Sequence, residues 1–314
     1  MFDNSSFVIY ILSMTNIASI YQQASTYPHV TSDAFVASSI IEIADGEVLH
    51  DPNLARMVIE REGTPLSLPD SCSDVPTYKV ALNRADPQKV FERRVAIIGI
   101  GSNCSPDVLI KKFQSAGVGG EFLILQATLH ESAVVHGAFI GGKATVPATV
   151  MPYKETHTDV TVGFYTPEQA AALTGTEPNY ELLQMKNSLA VRGSDAVSAF
   201  DPGALLYVSV WGALTLDKTL PIALQDIPSR TQLQKMNSPQ IMQEVAELLG
   251  RSGNVEEFFN SILTLPVAER LEHIFNIRNV GCALPAEFAG TCVKKSSIAE
   301  LCSPENPAPH IRYL

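Results

Sequence analysis

No run of basic residues appears in this chain, and that absence excludes whole classes of partner. Lys and Arg number 22 against 33 Asp and Glu over 314 residues, a net charge of −11. Nucleic-acid and anionic-lipid surfaces need a concentrated basic footprint to neutralise phosphates, so neither partner is expected. No Lys or Arg precedes Arg56, so the basic n-region of a secretory signal is missing. Residues 7–20, FVIYILSMTNIASI, form the most apolar stretch of the N-terminus, yet Ser, Thr and Asn interrupt them. They fall short of the roughly 20 apolar residues that a spanning helix needs.

Cysteine is sparse and carries no pairing pattern. The five (Cys72, Cys104, Cys282, Cys292, Cys302) are odd in number and include no C-x-x-C. Neither a disulfide framework nor a zinc site is indicated, and a reducing, cytoplasmic setting is expected. Cys104 precedes a helix start, where a thiolate is favoured, but no His partner is evident and it reads as a small apolar residue in a turn. There is no internal repeat. With 46 % hydrophobic and 18 % charged residues the composition is that of an ordinary globular protein.

What is present is a β-rich centre between two different flanks. The first 93 residues read as a mixed segment, with a helix predicted over Asn53–Glu62 and a Pro-, Ser- and Asp-rich linker over Gly63–Thr77. Strands are predicted over 94–100, 121–129, 144–152, 159–165, 180–185 and 204–216. In the fourth, Val160, Val162 and Phe164 alternate with polar or small residues, the pattern of one buried face.

One short helix is predicted with Ser105 as N-cap, Pro106 at N1, and Leu109 and Phe113 on one face. Its last turn carries Lys111 and Lys112, which suit the macrodipole. Another starts at Thr166 with Pro167 at N1 and Gln169 at N3, a capping box, and stops at Gly175. From about residue 219 the pattern becomes helical. One run begins at Ser238 and Pro239 and closes at Gly250, one begins at Asn254 with Glu257 at N3, and one follows Pro266.

The stretch VAIIGIGSNCSPDVLIKKF, Val95–Phe113, places a Gly-rich turn between a strand and a helix. As a dinucleotide fingerprint it fails in three respects. Cys104 stands where the third Gly or Ala belongs, the helix starts beyond the glycines at Ser105–Pro106, and Glu121 lies at the beginning of the next strand, not its end. A loop of this kind still exposes backbone N–H groups beside a helix N-terminus and can hold a carboxylate or phosphate. It can equally be a plain turn whose glycines satisfy geometry.

The order of strand, GSN, SPDVLIKKF, GKATVPATVMP and DVTVGFYTPEQAAALTGTEPNYELLQM resembles the γ-glutamylcyclotransferase-like superfamily over roughly Val95–Leu224. Members carry a Y-G-S-N loop after the first strand and a single catalytic Glu after a short helix. Gly101, Ser102 and Asn103 match the loop, Glu177 matches the acid and Tyr180 the aromatic that follows, while Ile100 stands where the motif has Tyr. The resemblance implies that Glu177 is the general acid/base. Ile100, Gly101, Ser102, Asn103 and Tyr180 would contact a small γ-glutamyl substrate, and no metal or cofactor is required. The implied reaction is intramolecular: the α-amino group attacks the γ-amide carbonyl and 5-oxoproline is released.

The expected architecture is α+β: a small mixed β-barrel with short helices over 94–218, between the extension 1–93 and a helical region 219–314.

Glu177 can also be judged from its surroundings. Pro178 pushes it out of the preceding helix, and no Lys or Arg occurs between Lys154 and Lys186. An apolar pocket would then raise its pKa toward neutrality, as an acid/base catalyst needs.

His130 and His136 would share a face of a continuous strand, but without a third ligand they read as hydrogen-bonded histidines. Trp211 reads as core or pocket wall, and Asp201-Pro202-Gly203 as a turn. Two other classes of function stay open: a non-catalytic small-molecule-binding or interaction protein on the same fold, and a nucleotide-dependent enzyme.

Overall fold

The structure is a computed structural model. It describes residues 18–28, 39–50, 59–62, 77–81, 91–185, 189–191, 204–216, 219–251, 253–262, 264–266, 269, 272–273, 276–277 and 291–293. The predicted linker, except Thr77, and the 201–203 turn lie outside the described residues, as does most of the run after Pro266.

The described chain is α+β, built on one mixed sheet of 14 strands. The N-terminal third supplies β1 (Ser39–Glu42), β2 (Glu47–His50), β3 (Ile59–Glu62) and β4 (Thr77–Ala81). The centre supplies β5 (Phe91–Gly99), β6 (Glu121–His136), β7 (Ala148–Tyr165), β8 (Tyr180–Gln184), β9 (Leu189–Val191) and β10 (Leu205–Ser209). The remaining strands are β11 (Ala223–Leu224), β12 (Ser229–Arg230), β13 (Lys235–Met236) and β14 (Thr291–Val293). The helices are α1 (Ala18–Ser25), α2 (Pro106–Ser115), α3 (Pro167–Gly175), α4 (Ser238–Leu248) and α5 (Val255–Ile262). None of the described helices is long and apolar enough to cross a membrane.

The main strand order is β13-β11-β6-β7-β5-β10-β8-β14, and among the described residues no pairing joins its two ends. The sheet therefore extends well beyond 94–218. From the N-terminal segment, β1 pairs with β6 and β4 with β5. From the C-terminal region, β11 pairs with β6 and β14 with β8. Region 219–314 accordingly opens with three two-residue strands, and its helices begin only at Ser238.

Three sequence expectations change, the first being the strand predicted over 204–216, which ends at Ser209 with a turn at Val210 and Trp211. Ile59–Glu62, predicted as the end of a helix, pairs antiparallel with β4, Ile59 opposite Val80. Helix propensity yields here to cross-strand pairing. The segments 144–152 and 159–165 are not two strands but one, β7, of 18 residues; residues 144–147 precede it.

Two apolar layers explain why the central strands are buried on both faces, not on one. Ile98, Leu125, Val162 and Leu206 point into one layer, with Tyr27. Ile97, Ile124, Tyr165 and Leu205 point into the other, which α2 and α3 cover with Leu109, Phe113, Ala170 and Leu173. Each such side chain taken from water contributes about 1.5–3 kcal/mol. A third cluster packs Ile241, Met242 and Val245 of α4 and Phe259 of α5 on Ile140, Val146 and Leu214, while Leu248 is partly buried beside it.

Helix starts follow local chemistry. Thr166 and Gln169 form the expected reciprocal capping box. Helix α4 begins at Ser238, as expected, behind a capping box of Asn237 with Gln240. Gly250 has φ +69°, as a helix stop requires, and Asn254 Oδ1 accepts from Glu257 N–H. Gly175 is instead the last residue of α3, and Thr176 caps it with φ −86°.

Candidate active site

The turn after β5 is a 3₁₀ turn, Gly101–Cys104, leading directly into α2. Ser105 stands at the N-cap, as expected, but its side chain makes no capping bond. Gly101 has φ +56°. A Cβ there would overlap the Tyr27 hydroxyl and come within 2.9 Å of the Ala148 Cβ. A Cβ at Gly99 would lie 2.7 Å from the Asn103 carbonyl oxygen. Both glycines answer to close packing by the protein itself.

That packing also engages the loop's backbone. Asn103 N–H donates to the Ile100 carbonyl at 3.3 Å, and the Tyr27 hydroxyl packs against Gly101. Ile100, expected to contact substrate, is buried with Tyr27, Ile98 and Cys104 in the core. Cys104 donates its thiol to the Gly99 carbonyl at 3.1 Å, and burial pushes the thiol up to about 12. It is an inert core residue, in keeping with its turn reading.

The loop side chain that reaches Glu177 is Asn103. Its Nδ2 donates to Glu177 Oε1 at 3.1 Å, and its Oδ1 accepts from Lys112 Nζ at 2.8 Å. Lys112 Nζ completes the triangle by donating to Glu177 Oε1 at 2.6 Å. The expectation of a carboxylate without a cationic neighbour is thereby overturned. The cation arrives from α2, 65 positions away in sequence, where the macrodipole had seemed reason enough for it.

A second cation stands nearby. Lys143, exposed at the Gly141–Ala144 turn, is held below the ordinary lysine range by desolvation and then by Lys112, with Glu177 acting in the opposite sense.

The connector carrying Glu177 is pinned along its length. Glu177 N–H donates to the Thr174 carbonyl and Val210 N–H to the Asn179 carbonyl, both at 3.1 Å. Trp211 lies in the turn after β10, and its Nε1–H donates to Asn179 Oδ1 at 3.1 Å. Its role is to brace the segment next to Glu177.

Tyr180 donates its hydroxyl to the Ala148 carbonyl at 2.8 Å, and Tyr27 accepts the Ala148 N–H at 2.8 Å. One peptide unit on each side of Ala148 is thus gripped by a different tyrosine. Burial pushes both hydroxyls well above the usual phenol range, so they act as neutral hydrogen-bonding groups.

The structure therefore brings Gly101, Ser102, Asn103, Glu177 and Tyr180 to one place. Lys112, Lys143, Ala148 and Tyr27 join them unannounced by sequence. Tyr27 lies 121 positions from Ala148, and no local pattern encodes that contact.

The histidines stand elsewhere. A β-bulge between His130 and Ser132, with Glu131 at φ +55°, shifts the alternation so that His130 and His136 no longer share a face. His130 Nδ1 meets His157 Nδ1 at 2.8 Å, while His136 is buried with Nε2 3.1 Å from the Met236 carbonyl. Among the described residues no three His, Cys, Asp or Glu side chains gather to hold a metal ion.

The helix after the Gly-rich turn leads to β6, which does not pair with β5; β7 lies between them, antiparallel to both. A dinucleotide-binding βαβ unit instead sets its two strands in a parallel sheet. No family model, curated protein or solved structure matches the chain.

Proposed function

We propose that the chain is a γ-glutamylcyclotransferase-like enzyme acting on a small γ-glutamyl compound. The observation that carries this reading is the convergence of Asn103 of the GSN turn and Lys112 on the Glu177 carboxylate, at 3.1 and 2.6 Å. A carboxylate held in place by two donors is the acceptor that the α-amino proton requires. The strands that frame it, β5 to β8 and β10, would serve as the family's barrel-type core, enlarged here by strands from both flanks. A cytoplasmic, reducing setting suits the unpaired cysteine pattern.

In this mechanism the substrate's α-amino nitrogen attacks the γ-amide carbonyl. Glu177 takes the proton released from that nitrogen and passes it to the departing amine as the C–N bond breaks. The products are 5-oxoproline and a free amine. Because nucleophile and carbonyl belong to one molecule, positioning supplies much of the acceleration. Lys112 and the Asn103 side-chain amide are the donors beside the base and would stabilise a developing oxyanion. Asn103 N–H is already given to the Ile100 carbonyl, so its side chain, not its backbone amide, carries that task.

The test is to incubate the protein with a panel of γ-glutamyl amines and peptides and detect 5-oxoproline by mass. Release from at least one compound supports the reading. No release from any, with a panel compound or 5-oxoproline still bound in calorimetry, would favour a non-catalytic binding protein.

A further inference from the structure

We propose that Tyr27 is a positioning residue of this site, delivered by the N-terminal helix and anchored by the C-terminal helices. The inference rests on the cyclotransferase reading for its function and on geometry for its existence.

Tyr27 belongs to neither the strand nor the loop that resembles the family, yet it sits at their junction. Its hydroxyl accepts the N–H of Ala148 at 2.8 Å and lies against Gly101 of the turn. Gly101 leaves room for that hydroxyl, since any Cβ at this position would overlap it. One oxygen thereby fixes the GSN turn against the start of β7. Two residues further along the turn, Asn103 reaches Glu177. A shift of Gly101 and Ser102 would move Asn103 with them, because the turn is short and internally bonded through Asn103 N–H to Ile100 and Ser105 N–H to Ser102.

Tyr27 is held from behind as well. Its carbonyl accepts the Ser238 hydroxyl at 2.9 Å, at the first residue of α4. Helix α1, immediately before it, docks through Tyr21 N–H to Asn260 Oδ1 of α5 at 2.8 Å. Ala24 of α1 is buried in the same cluster as Ile241 and Phe259. The flanks on both sides of the cyclotransferase-like segment are thus tied to the turn that faces Glu177.

The experiment compares the full chain with Tyr27→Phe, which keeps the ring and removes only the oxygen. Amide hydrogen exchange by NMR should speed up about tenfold at Ala148, the loss of one hydrogen bond's worth of protection. The side-chain NH2 resonance of Asn103 should shift, because its bond to Glu177 is no longer fixed. On the best γ-glutamyl substrate kcat/KM should fall about tenfold, chiefly through kcat, because a displaced Asn103 no longer holds the base and the oxyanion donor in register. Ser238→Ala should give smaller changes in the same direction.

Unchanged exchange at Ala148, or a lowered melting temperature with the Asn103 resonance and kcat/KM unmoved, would show that Tyr27 only fills space. If the wild type turns over no γ-glutamyl compound, the cyclotransferase reading fails alone. Exchange and the Asn103 resonance then still decide whether Tyr27 fixes the turn.

Discussion

Glu177 keeps 14 % of its side chain in contact with solvent and meets the ammonium of Lys112 at 2.6 Å. His136, 1 % exposed at the far end of β6, meets the carbonyl oxygens of Met236 and Val146 instead. One ionisable group is paired with opposite charge at the protein edge; the other is sealed among backbone dipoles. Desolvation prevails at His136, lowering it to about 4 although both carbonyl contacts pull the other way. A charge partner together with residual solvent makes a group available for chemistry, while burial without a counter-charge makes it structural.

Acid should break this comparison most visibly. The unfolded chain binds a proton at this histidine near 6.5 and the folded chain only near 4. The folded state therefore binds fewer protons in that window, so the contribution is complete above 6.5 and lost as pH falls toward 4. At its full extent the loss is roughly 3 kcal/mol. Urea unfolding of the wild type and His136→Gln across this range should show a steeper decline in the wild type. Parallel curves would remove His136 from the acid response.

Gly101→Ala comes next. The left-handed backbone and the overlap with the Tyr27 hydroxyl together should cost roughly 2 kcal/mol, read as a lower urea midpoint. An unchanged midpoint would mean that the turn and Tyr27 are not packed as described.

The smallest expected effect is Lys112→Met, at about 1 kcal/mol, because the ion pair is partly exposed. The variant leaves Glu177 without its cation and Asn103 Oδ1 without that donor. Its deficit should narrow in about 1 M salt, where the wild-type pair is itself screened. A deficit insensitive to salt would assign the loss to packing of the lysine stem.

What was legible in the sequence was local. Thr166 with Gln169, Pro106 at N1 and Asn254 with Glu257 announce helix starts because each bond spans three residues or fewer. The alternation of Val160, Val162 and Phe164 announces a strand, but not that Thr161 and Tyr165 on its other face are equally buried. That depends on α2 and α3 covering the second layer. Ile59–Glu62 misled because a short mixed-charge segment takes its conformation from its partner strand. Glu177, Asn103 and Tyr180 were reached through a resemblance in order and spacing. Lys112 and Tyr27 were not, since their bonds to Glu177 and Ala148 cross 65 and 121 positions and leave no periodic trace.

The most direct measurement of the central claim is the rate of 5-oxoproline release by wild type and Glu177→Gln on the best panel substrate, with melting curves recorded in parallel. The substitution keeps the side chain's size and removes its capacity to take the α-amino proton. Turnover should fall by roughly 10² to 10⁴, the range for a lost general base, with binding retained and the melting temperature little changed. Equal turnover in the two proteins would contradict the account, taking Glu177 out of the mechanism and leaving the Lys112–Asn103–Glu177 triangle a purely structural contact.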